Sequence, residues 1–144
     1  MNEIIFLTPD LSTELPLLYA DAGIPAAFPS LAQDYVDGIL DLNKELIQHP
    51  AATFYAKVVG DSMEPEINEG DLLIVDRSLD PFDDCIAVCC LNNEFTIKRI
   101  DLSRKSEGYI RLIPNNKKYE PITVTEDDKF ILWGVVRYVI HKTV

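Results

Sequence analysis

Ile86-Ala87-Val88-Cys89-Cys90-Leu91-Asn92-Asn93-Glu94-Phe95-Thr96-Ile97-Lys98-Arg99-Ile100 is the stretch that decides the fold. It holds two β-type runs, Ile86 to Leu91 and Glu94 to Ile100, separated by the turn-forming pair Asn92-Asn93. Runs of the same kind lie on either side: Thr53 to Val59, Leu72 to Asp76, Tyr109 to Ile113, Pro121 to Val124 and Phe130 to His141. Asn68-Glu69-Gly70-Asp71 and Pro114-Asn115-Asn116 supply further turns. Short strands at this spacing predict a mainly β chain, folded as a compact and mostly antiparallel β domain.

Upstream the pattern changes. Ser30-Leu31-Ala32-Gln33 has the form of a capping box, and Tyr35, Val36, Ile39, Leu40, Leu46 and Ile47 recur at helical spacing with Asp34, Asp37, Asp41 and Glu45 between them. A short helix is expected there, ending by His49-Pro50. Before it, residues 1–28 carry Glu3, Asp10, Glu14 and Asp21, with Pro9, Pro16 and Pro25 breaking any helix and no sustained apolar period. The interspersed Ile, Leu and Tyr side chains predict an extended arm that lies against a surface. The expected organisation is therefore an N-terminal arm over 1–29 and a folded domain over 30–144.

Composition narrows the function. The 144 residues are 47% hydrophobic and 26% charged, which suits one core and excludes a fibre or a coiled-coil rod. Thirteen Lys+Arg against 24 Asp+Glu give a net charge of −11, so the summed field repels phosphate polyanions and direct nucleic-acid binding is not expected. Cys85, Cys89 and Cys90 crowd one apolar stretch and read as small core residues of a reducing compartment, without the spacing of a zinc site. No apolar run approaches the roughly 20 residues of a membrane span. A cytoplasmic protein is expected, with no cofactor and no metal.

Candidate chemistry begins at Gly60-Asp61-Ser62-Met63, directly after the run Thr53 to Val59. A serine at a strand-to-loop junction beside a glycine can present its hydroxyl where backbone N–H groups face the same space; the stretch also reads as a plain polar turn. A serine nucleophile needs a base. His49 stands before a proline and His141 in the last run, so neither pattern suggests a triad. The remaining base is a lysine kept neutral by burial. Lys98 qualifies, because alternation puts Thr96, Lys98 and Ile100 on one face of a strand and Phe95 and Ile97 on the other; an exposed strand end is the competing reading. Asp61, Glu64, Glu66 and Glu69 read as a solvated acidic surface, and Trp133 and Tyr138 as core or dimer contacts.

Phe28-Pro29-Ser30, Asp34-Tyr35-Val36, Asp41-Leu42-Asn43, Leu46-Ile47-Gln48-His49-Pro50, Gly60-Asp61-Ser62-Met63, Gly70 to Asp76, Glu94 to Lys98 and Gly134-Val135-Val136 occur here in one order. As a set they resemble the UmuD/LexA-type family of self-cleaving serine peptidases. The resemblance implies a domain like the C-terminal one of LexA, with Ser62 as nucleophile, Lys98 as general base and the backbone N–H groups of Ser62 and Met63 as oxyanion donors. It implies a cut in the chain's own arm. The family's scissile pair is Cys-Gly or Ala-Gly just before Phe-Pro-Ser; Ala26-Ala27 stands in that place here, with Ala22-Gly23 as the alternative. Implied partners are a second copy of the chain, a RecA nucleoprotein filament and a UmuC-like subunit of a translesion, error-prone DNA polymerase, in an SOS response to DNA damage. A LexA-like self-cleaving regulator and a non-catalytic polymerase subunit with a vestigial dyad are the alternatives. The residues before Ser30 contain no Lys or Arg and are broken by prolines, which speaks against a DNA-reading helix-turn-helix in that stretch.

Overall fold

Each β-type run of the sequence becomes a strand, and every neighbouring pair is antiparallel. The computed structural model describes residues 3–10, 12, 16–19 and 38–144. Its strands are β1 (Ile4–Leu7), β2 (Pro16–Tyr19), β3 (Gly38–Asp41), β4 (Thr53–Val58), β5 (Leu72–Asp76), β6 (Ile86–Leu91), β7 (Glu94–Asp101), β8 (Tyr109–Ile113), β9 (Ile122–Thr125) and β10 (Phe130–Ile140). Eight of them form one sheet in the order β1-β4-β5-β10-β6-β7-β8-β9. The chain is mainly β, as the pattern predicts.

Local chemistry explains the hairpins. Leu91 pairs with Glu94 across Asn92 and Asn93, which adopt φ of 50° and 70°. Both central residues of such a two-residue turn need positive φ, and asparagine tolerates it better than most residues. β10 is longer than its neighbours because it serves two of them, β5 on one side and β6 on the other, with register shifts at Leu132/Gly134 and Val136/Tyr138. Gly134 permits the close approach at the first shift: a Cβ there would lie 2.6 Å from Val75 Cγ1.

Alternation along the strands feeds two apolar clusters. Val88 and Ile97 join Ile4, Val58, Met63, Ile67, Leu73 and Val75 in one. Ala87, Cys89 and Ile100 join Cys85, Leu112, Val124 and Val135 in the other. Trp133 packs against the first cluster, its ring 4.4 Å from Phe6 and 5.1 Å from Phe54, with the Arg77 guanidinium over it at 4.5 Å. This is a core role. Cys85 and Cys89 are buried free thiols, and Cys90 is half-buried.

Met1–Pro9 and Ala51–Val144 make one structural unit, and Asp10–Pro50 another. In the second, β2 pairs with β3, and α1 (Leu42–Leu46) follows at once. The helix expected from Ser30 to His49 is corrected here. Ile39 and Leu40 lie on β3, and the α-helix in the described residues is a single short one beginning at Leu42. Asp41 ends the strand and caps the helix by accepting from the Asn43 backbone N–H at 3.0 Å. Helical spacing yielded to strand pairing ahead of this cap and held after it; the capping box at Ser30 lies outside the described residues.

Candidate active site

Lys98 lies on the cluster-forming face of β7, beside Ala87 and Cys89 of β6, which stand opposite Lys98 and Thr96 in the register. It is 3% exposed, so it is no strand-end residue. Its Nζ stands 2.9 Å from Ser62 Oγ, 2.5 Å from Thr96 Oγ1 and 3.1 Å from the Ile97 carbonyl. Burial pushes the neighbouring Cys89 thiol up to about 12, so that sulfur stays a neutral thiol and offers no rival nucleophile.

Ser62 arrives from the other side, on the turn that leaves β4. Gly60 turns the chain with φ of 97°. Two apolar anchors, Met63 and Ile67, then sink into the first cluster, and the Ile67 N–H donates to the Met63 carbonyl at 3.0 Å. Ser62 is held between them and the glycine, 6% exposed. The 114–120 loop clamps this turn: the Asn116 N–H donates to the Ser62 carbonyl at 3.0 Å, its amide donates to the Asp61 carbonyl at 3.0 Å, and the Tyr119 hydroxyl donates to the Asp61 carboxylate. That last bond raises the Tyr119 phenol above its ordinary value. Among the described residues, the Ser62 and Met63 N–H groups donate to no backbone carbonyl.

A third element enters the cleft. Glu3, just before β1, receives hydrogen bonds from Ser62 Oγ at 2.6 Å, Thr96 Oγ1 at 2.6 Å and Lys98 Nζ at 2.8 Å. The sequence places Glu3 only among the acids of the arm; the clue it offered was Ile4-Ile5-Phe6-Leu7, an apolar β-forming run. Asn116 and Tyr119 carried no local signal either. The cleft has a volume of about 260 Å³, with Leu91 and Ile122 supplying apolar wall.

The other candidate residues lie apart from this chemistry. His141 Nδ1 pairs with the buried Asp71 at 2.6 Å, and Glu66 pairs with Arg99 at 2.7 Å. No group of three His, Cys, Asp or Glu that could hold a metal occurs among the described residues. Ala22, Gly23, Ala26 and Ala27 lie outside them.

A serine hydrogen-bonded to a lysine is one of the pairings that serine acyl-transfer chemistry uses, and here both side chains are buried. The family model described as Peptidase S24-like matches residues 16–137. This chain belongs to the S24-like peptidases. Among its S24-like relatives, Protein SamA of Salmonella typhimurium is 41% identical over 120 residues, covering 83% of this chain and 81% of SamA. Protein MucA of Escherichia coli is 40% identical over 117 residues, covering 80% and 77%. The LexA repressor of Clostridium perfringens is 38% identical over 104 residues, which are 72% of this chain and 50% of the repressor. The S24-like chain is thus a serine-peptidase-type, SOS-related protein of UmuD type. No helix among its described residues is long and apolar enough to cross a membrane.

Proposed function

We propose that this chain cuts its own N-terminal arm with a Ser62–Lys98 dyad and then serves as accessory subunit of a translesion DNA polymerase. The observation that carries the reading is the 2.9 Å contact between Lys98 Nζ and Ser62 Oγ, both buried. Neutral Lys98 takes the hydroxyl proton as Ser62 Oγ attacks the scissile carbonyl. The backbone N–H groups of Ser62 and Met63 hold the oxyanion. The tetrahedral intermediate collapses to an acyl-serine, and the Lys98 ammonium gives its proton to the leaving amine. Water, deprotonated by the again neutral Lys98, then releases Ser62.

The substrate is the bond after Ala26, with the bond after Ala22 as alternative; either bond lies within the arm over 1–29, ahead of the domain over 30–144. Tethering supports this economy, since a linked substrate needs no bimolecular encounter. Partners in this reading are a second copy, a RecA filament that promotes the cut, and a UmuC-like polymerase subunit, all in the cytoplasm. The net charge of −11 supports leaving the DNA contacts to those partners.

The test is incubation of the purified chain at neutral and alkaline pH, with and without activated RecA filament, followed by mass spectrometry. One cut is expected, faster at alkaline pH because only the neutral amine accepts a proton. Ser62→Ala and Lys98→Ala each lower its rate by about 10³-fold or more. A cut that persists in Ser62→Ala overturns the nucleophile assignment. Full-length chain under every condition favours a vestigial dyad.

A further inference from the structure

We propose that Glu3 is a built-in inhibitor of the dyad, a carboxylate that the chain places where the scissile carbonyl has to go. The proposal rests on the reading of Ser62 and Lys98 as a catalytic pair. Three donors from two elements converge on this one side chain: Ser62 Oγ on one oxygen, Thr96 Oγ1 and Lys98 Nζ on the other. The proton directions are the reverse of those catalysis needs. Ser62 spends its hydroxyl proton on Glu3, and Lys98 donates to Ser62 instead of accepting from it. An ammonium paired with a carboxylate at 2.8 Å has no lone pair with which to act as base. A carboxylate oxygen 2.6 Å from Oγ also fills the volume that a substrate carbonyl carbon and oxygen would occupy.

The backbone fixes this delivery. The Glu3 N–H donates to the Phe95 carbonyl at 3.0 Å, and the Glu3 carbonyl accepts from the Val59 N–H at 2.6 Å. Glu3 therefore bridges the end of β4 and the start of β7, the two segments that carry Ser62 and Lys98. Beyond it, among the described residues, β1 pairs only with β4, from Ile4 opposite Val58 to Leu7 opposite Tyr55. β1 is an edge strand of four residues, so its departure breaks one strand ladder, the Glu3–Phe95 bond and the packing of Ile4 and Phe6 on the first cluster, and leaves the pairing among the other strands intact. Glu3 restrains the dyad while β1 is seated and releases it when β1 leaves; a cut after Ala26 or Ala22 removes Glu3 with the arm.

Glu3→Gln tests this, because it keeps the shape and removes the charge. Two rates are measured on full-length wild type, Glu3→Gln and Glu3→Ala at neutral pH: self-cleavage by mass spectrometry, and phosphonylation of Ser62 by a fluorophosphonate probe, with Ser62→Ala as blank. Loss of one charge-assisted contact of this kind raises both rates by about tenfold or more. Rates equal to wild type in both variants overturn the proposal. If no chain cuts itself under any condition, the self-cleavage reading falls, and the probe alone decides: faster labelling of Glu3→Gln supports the restraint, and equal labelling overturns it.

Discussion

β7 and the residue that leads into β1 both send polar side chains into the same cleft, yet the two strands are written into the sequence in opposite ways. β7 is an eight-residue strand tied to β6 by a two-residue turn, buried on both faces at its centre, with the buried polar residues Thr96 and Lys98 flanking Ile97. β1 is four residues at the sheet's edge, held by partners about fifty positions away, with Ile5 53% exposed. One strand is fixed by its own pattern and its neighbour. The other is fixed by where it docks, and a functional group that is meant to leave belongs on such an element.

Stability measurements give this contrast its hardest test. Ile97 is fully buried in the first cluster, so Ile97→Ala lowers unfolding free energy by about 2–5 kcal/mol in a denaturant titration. Ile5→Ala stays within about 0.5 kcal/mol of wild type. Equal losses at the two sites would break the distinction between a structural and a detachable strand.

A second measurement extends the comparison to the 114–120 loop. Tyr119→Phe removes the bond to Asp61 while keeping the ring, and the self-cut slows by about 3- to 10-fold with the denaturation midpoint nearly unchanged. A parallel loss of stability would make the loop a structural brace and not a positioning one.

The smallest effect lies at the far end of β7. The Ser103 hydroxyl and N–H, followed by Arg111, hold Asp101 down to about 2 from an ordinary 3.8. A carboxylate whose value is lowered by folding stabilises above its unfolded value, and the gain disappears as pH falls through the folded one. Asp101→Asn therefore lowers the unfolding midpoint slightly at neutral pH, and the difference from wild type closes between about pH 4 and pH 2. A gap that stays constant across that range would assign the effect to something other than this charge.

These contrasts also mark what the sequence makes legible. Strands β4 to β10 follow from period-two runs and turn residues, and the shared face of Thr96, Lys98 and Ile100 follows from alternation alone. Ser62 stands at a strand exit beside a glycine, which is a local signal. Glu3 is different: its contact with Lys98 spans 95 positions, and no short-range pattern encodes it. The same holds for Asn116 and Tyr119, whose roles come from a loop folding back on the Ser62 turn. Residues 38–41 misled for a related reason, since apolar spacing suited a helix while pairing with β2 and the Asp41 cap imposed a strand first.

The position of β10 carries a consequence for how the chain comes together. Its two neighbours, β5 and β6, precede it in sequence, and their edges stay open until Phe130–Ile140 is available. Much of the sheet is therefore assembled late in synthesis, through contacts of long sequence separation, which is a slow route. A nascent chain arrested before Phe130 should expose those unpaired edges to proteases and chaperones, and one arrested after Ile140 should not.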